Sequence, residues 1–224
     1  KFASALPVAS QQCDEINFAP VSLTTLVDSP VLTGQYFRSI PLAAEVQPPH
    51  RLNSAADTQG PLEASNDQIA AYSRLVREDG ALFGARHYAH YDFLLSLTDY
   101  FAPNGLEHHQ SSDSRASERM FSNAEQSEYY NSLLAHEFTH SWNGKYRRPA
   151  GLATPDFEQP MKGDLLWIYE GLTQHIGEMV AARSGLRTPE DYRESLAWTA
   201  AYLDYRPGRS WRPLADTAVA AQAL

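Results

Sequence analysis

The sequence predicts an α+β domain in which a small, mostly antiparallel sheet packs on a lobe of helices. Apolar residues recur at helical spacing in the middle and in the C-terminal part of the chain. Short alternating segments, bounded by turn residues, lie before and between these helical patterns. With 224 residues and 43% hydrophobic content, the chain is long enough and apolar enough to bury a core.

The N-terminal part of the chain differs from the rest. Residues 1–60 are rich in Pro, Ser and Thr, and the apolar stretches at 21–27 and 31–40 are predicted to be brief strands between turns. This part shows no core pattern of its own. We therefore expect residues 1–60 to be a β-rich extension or remnant of an upstream β domain, and residues 61–224 to form the main domain.

The first helix of the main domain has recognisable ends. Apolar residues recur at helical spacing over 69–76, after a cap at Ser65 or Asn66, and Gly80 and Gly84 mark the exit. These signals predict one amphipathic helix.

Two strands and a loop are predicted next. Residues 91–97 alternate in strand fashion, and a second strand is predicted at 105–109 after a turn. Residues 110–127 are polar and Ser-rich, so they are predicted to be a loop leading to a helix that begins near Ser127 or Glu128.

Two further helices complete the predicted helical lobe. One covers residues 163–183 and stops at Gly185. The next begins with Thr188 as N-cap, Pro189 at the first helical position and Asp191 in the capping-box position.

Composition excludes several classes of function. Eighteen basic and 27 acidic residues give a net charge of −9, which argues against nucleic-acid binding because that depends on neutralising phosphates. No apolar run approaches the roughly 20 residues of a spanning helix, so no membrane span is expected. The single cysteine, Cys13, excludes an internal disulfide and a multi-cysteine metal site. The compartment stays open.

The stretch HEFTH carries the first chemical signal. His136 and His140 stand at i and i+4 on an apolar-faced helix, so one helical turn brings both imidazoles to the same metal ion. Glu137 projects beside them, where it can deprotonate a metal-bound water. The pattern is typical of zinc peptidases and predicts one Zn²⁺ per chain, with Glu137 as general base.

A catalytic zinc usually has three protein ligands, so a third must be found. Glu170 is the best candidate because it lies on the next strongly periodic helix, which can pack against the HEFTH helix. Glu178, two turns further on, is the rival. Each ligating imidazole should also donate its second nitrogen proton to a fixed acceptor, and Asn143 and Gln174 are candidate polar neighbours.

Five segments taken in order, DSPVLTGQYF, HYAHYDFLL, NGLEHHQSS, HEFTHSWNGKYRRP and LLWIYEGLT, resemble the glycyl aminopeptidase family. The resemblance covers roughly residues 20–212 and implies a thermolysin-like catalytic domain of gluzincin type. It supports His136, His140 and Glu170 as zinc ligands and Glu137 as base. It also assigns a substrate-binding role to an edge strand: Glu107 binds the free α-amine, and Gly105 and Leu106 offer backbone hydrogen bonds.

The resemblance implies an aminopeptidase that removes N-terminal residues from peptides with a free N-terminus. An endopeptidase of the same mechanism and a catalytically silent zinc-bearing binding module remain alternatives. Family members are longer, so other domains of a longer parent chain are expected, with residues 61–224 a catalytic domain truncated at its C-terminus. The tyrosine that stabilises the intermediate in similar enzymes would then lie beyond residue 224, and Tyr169, Tyr202 and Tyr205 are the substitutes in this chain.

Overall fold

The computed structural model describes residues 1–156 and 158–220, with the side chains in these ranges apart from that of Glu128. The strands are β1 Phe2–Ser4, β2 Val8–Gln12, β3 Glu15–Phe18, β4 Val31–Thr33, β5 Tyr36–Leu42, β6 His50–Ala56, β7 Tyr91–Leu97, β8 Asn104–Glu107 and β9 Ser111–Ala116. The α-helices are α1 Leu23–Val27, α2 Asn66–Phe83, α3 Ala124–Tyr130, α4 Leu133–Thr139, α5 Thr173–Ser184, α6 Pro189–Tyr205 and α7 Leu214–Ala220. Short 3-10 turns lie at Gly60–Leu62, Gly163–Leu165 and Pro207–Ser210, and a π-helical turn covers Trp167–Leu172.

The central sheet has five strands in the order β5-β6-β7-β9-β8. The α+β class is confirmed, but this sheet is mixed rather than mostly antiparallel. Its outer pairings, β5 with β6 and β8 with β9, are antiparallel, and its inner pairings, β6 with β7 and β7 with β9, are parallel. The parallel pairing of β6 and β7 follows from the helix α2 between them, because a parallel neighbour needs a long crossover.

The prediction of a loop over 110–127 is wrong in its first part. Strand β9 occupies Ser111–Ala116 and lies inside the sheet. Its side chains at Ser111, Ser112 and Ser114 are fully buried. Small polar residues produce no apolar alternation, so a buried strand of this composition resembles a loop in the sequence.

The prediction for residues 21–27 is also wrong. They contain the short helix α1, capped by Ser22, whose hydroxyl accepts a hydrogen bond from the Thr25 amide at 3.1 Å. The apolar residues there recur over too short a stretch for periodicity to separate strand from helix. Residues 31–40 do form strands, as β4 and the start of β5.

Strands β5 and β6 lie before residue 60 and pair in register with each other and then with β7, which lies after it. The division into 1–60 and 61–224 stays a prediction, and residues 221–224 of the second unit lie outside the described residues.

Helix ends follow the sequence signals closely. Ser65 and Gln68 form a capping box at the start of α2, and Gly84 ends that helix in the left-handed conformation. Thr188 and Asp191 form the capping box of α6. The helix predicted from Ser127 or Glu128 begins earlier, at Ala124, because Asn123 caps it.

The core lies between the sheet and the helices, and α4 runs through it. The ring of Phe138 on α4 contacts Tyr91, Phe93 and Trp142 at centroid distances of 4.6, 5.1 and 5.0 Å. All four rings are buried. Helix α4 is therefore fixed to the sheet by aromatic packing. Among the described residues, no helix is both long and apolar enough to cross a membrane.

Candidate active site

Two imidazoles meet on α4 where the sequence places them. The Nε2 atoms of His136 and His140 lie 3.0 Å apart. The side chain of His140 is only 1% exposed and that of His136 is 17% exposed. One face of the α4 end therefore presents two ring nitrogens to the same point.

Glu170 reaches this point from the π-helical turn. Its Oε2 atom lies 3.5 Å from Nε2 of His136 and 3.5 Å from Nε2 of His140. Contacts with the two imidazoles lower the pKa of Glu170 to about 2, so its carboxylate is ionised at neutral pH. The structure brings together the three residues that the sequence singled out as ligands.

The three atoms fit the geometry of a small cation. A tetrahedral zinc with bonds of about 2.0–2.1 Å separates its ligand atoms by roughly 3.3–3.4 Å. The observed separations are 3.0, 3.5 and 3.5 Å. Two imidazole nitrogens and one carboxylate oxygen also form a donor set that zinc prefers.

The expected partner of the second ring nitrogen is present for His140. Its Nδ1 lies 3.0 Å from the carbonyl oxygen of Asn143, which accepts a hydrogen bond from that nitrogen and leaves Nε2 as the ring atom that can bind a metal ion. For His136 the expectation is not met, because its buried Nδ1 has no hydrogen-bond partner among the described residues.

Glu137 lies beside this group and beneath the sheet edge. Its carboxylate belongs to the same cluster as the two imidazoles, with ligand atoms within 4.8 Å of one another. Burial, reinforced by the charges of Glu107 and Glu170 and opposed by His136, raises the pKa of Glu137 to about 7. Such a carboxyl can both accept and release a proton near neutral pH.

Strand β8 makes room for Glu137 through a glycine. A Cβ atom on Gly105 would lie 2.0 Å from Oε1 of Glu137 and 2.8 Å from Cδ1 of Leu133. Any larger residue would therefore displace the carboxylate, which explains the glycine at this position of the edge strand.

Glu107 lies on the same face of β8, two residues further on. Its Oε1 atom accepts a hydrogen bond from the hydroxyl of Tyr169. The structure thus places Glu107 beside Tyr169, the residue that precedes Glu170.

The structure does not bring Leu106 to the cleft. The amide of His108 donates to the carbonyl of Ser111 at 3.0 Å, and alternation along the antiparallel ladder then directs the backbone groups of Leu106 toward β9. Those of Gly105 and Glu107 face the open edge. The expectation that Leu106 offers a backbone hydrogen bond to substrate is therefore wrong.

The rival third ligand and one polar neighbour are engaged elsewhere. Glu178 pairs with Arg187 through Oε2 and accepts from Gln174 through Oε1 at 3.2 Å. Gln174 therefore contacts neither imidazole through a hydrogen bond among the described residues. Of the tyrosines considered as substitutes, Tyr202 and Tyr205 are exposed and Tyr169 is buried in the site.

Thr173 was not identified from the sequence. Its hydroxyl lies 3.3 Å from Nδ1 of His140 and donates to the carbonyl of Tyr169 at 2.6 Å. Asn143 donates to the same hydroxyl at 2.9 Å and to the carbonyl of Ile168 at 2.8 Å. The position of Thr173, three residues after Glu170 and so on the same helical face, is the signal that would have identified it.

Open space adjoins the site on the α4 side. A cavity of about 310 Å³ lies beside the side chains of His136 and Glu137 on α4. Its lining also includes Asn104, Leu133 and the aromatic side chain of Tyr129 on α3.

Comparisons with known proteins find one matching family and similar solved structures. Residues 108–223 match the M61 glycyl aminopeptidase family, a range that includes α4 and Glu170 and begins just after Glu107. Among solved structures, the chain is similar to the crystal structure of an aminopeptidase N family protein from Idiomarina loihiensis, with a TM-score of 0.71 and 24% identity. The similarity covers 85% of this chain and 33% of that one, so the chain spans about a third of that protein's length. The likeness shows a shared fold.

A comparison with curated proteins finds no match. The family match extends over just over half of the chain and contains the two imidazoles and the carboxylate that converge in the structure. This chain belongs to the M61 glycyl aminopeptidase family.

Proposed function

We propose that this chain carries the catalytic site of a zinc-dependent aminopeptidase. In this proposal His136, His140 and Glu170 hold one Zn²⁺ and Glu137 is the general base. The observation that carries the proposal is the convergence of the three ligand atoms at 3.0–3.5 Å, on two different elements, beside a buried carboxyl.

When bound, zinc supplies a Lewis acid that polarises the scissile carbonyl and lowers the pKa of the attacking water. Glu137 takes the proton from that water and returns it to the leaving amine. Burial raises the pKa of Glu137 in the metal-free site, and a buried carboxyl of this kind is suited to accept a proton and then release it.

Strand β8 aligns the substrate in this proposal. Its open edge presents the backbone groups of Gly105 and Glu107, to which a peptide can add as an extra strand. The carboxylate of Glu107 pairs with the positive α-amine and so sets the distance from the N-terminus to the bond that is cut.

The test combines metal content with two substrates. We expect elemental analysis of the purified chain to find one zinc per chain, and alanine p-nitroanilide to be hydrolysed in a chelator-sensitive reaction. Its N-acetylated form should be cleaved poorly because it has no charged amine for Glu107.

Each alternative has its own result. Equal cleavage of the blocked and free substrates would favour an endopeptidase and would reject the role of Glu107. Bound zinc without turnover of either substrate would favour the silent binding module. Absence of zinc after dialysis against micromolar zinc would contradict the metal site itself.

A further inference from the structure

The most informative contact outside the proposed ligands joins two elements across the cleft. Tyr169, on the π-helical turn, donates its hydroxyl proton to Oε1 of Glu107 on β8. The Tyr169 side chain is buried, and no other side-chain hydrogen bond reaches the Glu107 carboxylate within the described part of the chain. One oxygen of that carboxylate is therefore held while the other stays available.

The Tyr169 ring is held on two sides. Its centroid lies 4.8 Å from that of His140, at an interplanar angle of 37°. On another side Gly144, with φ of 140°, lies so close that a Cβ atom there would be 2.9 Å from the ring carbons and 3.1 Å from the hydroxyl. Glycine at position 144 can adopt this backbone conformation, which is unfavourable for other residues. It also leaves room for the Tyr169 ring, because it has no side chain.

The backbone that carries Tyr169 is fixed as well. In a π-helical turn the regular helical hydrogen bonds are interrupted, and side chains replace them here. The carbonyl of Tyr169 accepts from the Thr173 hydroxyl at 2.6 Å, and that of Ile168 accepts from Asn143 at 2.8 Å. The hydroxyl of Tyr169 thus has a defined position relative to the ligand turn.

The hydroxyl can act only as a donor to Glu107 at neutral pH. A tyrosine hydroxyl with the ordinary pKa of about 10 is protonated at neutral pH, and a carboxylate can only accept a hydrogen bond from it. Without this donor, the Glu107 carboxylate would be free to change rotamer, and the two other carboxylates of the site, Glu137 and Glu170, would repel it.

We propose that Tyr169 is a positioning residue that holds the Glu107 carboxylate in place for the substrate α-amine and thereby sets the preference for a free N-terminus. The inference deepens the proposed function and rests on it. The hydroxyl orders one oxygen, which leaves the second aimed at the amine at a fixed distance from the ligand turn.

The experiment compares Tyr169→Phe, which removes the hydroxyl and keeps the ring, with Tyr100→Phe, the same change at a tyrosine that is 84% exposed. Loss of the hydrogen bond to a charged group is expected to raise KM for alanine p-nitroanilide about tenfold while kcat stays within about twofold. KM for the N-acetylated substrate and the zinc content should not change. The control variant should behave as the wild type.

A binding measurement gives a second readout that does not need turnover. The dissociation constant of L-alaninamide for the zinc-free protein, measured by calorimetry, should rise about tenfold in Tyr169→Phe. In a Glu107→Gln variant, adding Tyr169→Phe should have no further effect on this dissociation constant, because the carboxylate that binds the amine has already been removed. Gly144→Ala, which pushes a methyl group against the ring, should reproduce the loss if Tyr169→Phe does not fold.

Other outcomes would overturn the inference. A fall in kcat with unchanged KM would place the hydroxyl on the reacting carbonyl instead, and loss of zinc would make Tyr169 a support of the metal site. If Tyr169→Phe changes neither KM nor alaninamide binding, Tyr169 has no role in positioning Glu107. If the wild type has no chelator-sensitive activity, the proposed function fails, whereas alaninamide binding still decides the role of Tyr169.

Discussion

The two walls of the candidate site are held in place by different forces. The α4 wall lies in the aromatic core, with Phe138 fully buried and the His140 side chain 1% exposed. The opposite wall is the π-helical turn, where the Glu170 side chain is 50% exposed and polar contacts from Asn143 and Thr173 hold the backbone. Packing thus fixes two of the proposed ligands, and hydrogen bonds fix the third.

Because the two walls are held differently, substitutions in them should affect the free energy of unfolding to different extents. Changes within the α4 wall should affect folding because they disturb close-packed rings. Changes at the exposed positions of the π-helical wall, Trp167 and Glu170, should have little effect on the free energy of unfolding, because these side chains are largely in solvent.

The largest effect is expected from Glu137→Gln, which removes the proposed general base from the α4 wall. The change keeps the size of the side chain and removes the base, so turnover should fall by about 10²–10⁴-fold. Zinc content should remain at one per chain, measured by elemental analysis on the same sample. Loss of zinc in this variant would show that Glu137 is a ligand and not the base.

The second prediction tests the difference in packing. Phe138→Ala should lower the free energy of unfolding by about 3–5 kcal/mol, because it leaves a cavity among Tyr91, Phe93 and Trp142. Trp167→Ala on the π-helical wall removes a larger side chain, but this residue is 61% exposed. The free energy of unfolding should therefore change by less than about 0.5 kcal/mol. Chemical denaturation of both variants without metal measures the contrast, and equal losses would contradict it.

The third prediction concerns the ligand on the exposed wall. Glu170→Ala should weaken zinc binding by at least about 100-fold, more than the loss of a residue that only supports a ligand. The unfolding free energy of the metal-free protein should barely change. Competition with a chromogenic chelator measures the affinity.

Glu178→Ala is the matched control for that change, since Glu178 pairs with Arg187 instead of the imidazoles. It should leave zinc affinity unchanged. Tight binding in Glu170→Ala together with weak binding in Glu178→Ala would exchange the roles of the two carboxylates.

The smallest effect is expected on the free energy of unfolding at acidic pH, through His50, which packs against the α4 wall. Burial, aided by the charge of Arg86, lowers the pKa of His50 to about 4, and its ring contacts Phe138 at 5.8 Å. Between pH 6.5 and 4 the unfolded chain binds a proton that the folded chain does not, so stability falls as the pH drops through this window. The loss attributable to His50 should be about 2 kcal/mol.

The measurement compares unfolding of the wild type with that of His50→Gln at pH 7 and pH 4.5, with chelator present in both. The wild type should lose more stability than the variant over this interval. His175→Gln, a change at an exposed histidine, should retain the wild-type dependence. An equal pH dependence in wild type and His50→Gln would show that other groups are responsible.

The sequence predicted the elements whose signals are local. Ser65 caps α2, one of the two caps expected there, and Thr188 with Asp191 caps α6 as expected, because a cap needs only residues within one turn. The HEFTH spacing predicted the meeting of His136 and His140 for the same reason. Glu170 was also found from the sequence, through its place on a periodic helix.

Other features depend on residues far apart in the chain, and no local pattern indicates them. The serines of β9 are buried only because this strand lies between β7 and β8, and the backbone direction of Leu106 is set by its ladder with β9. The contact of Tyr169 with Glu107 joins residues 62 positions apart. The sequence by itself determined most helix ends and the meeting of the two imidazoles, because these follow from short-range spacing. Tertiary structure alone decided the contact of Tyr169 with Glu107 and the backbone direction of Leu106, because these depend on the order of strands and the approach of helices.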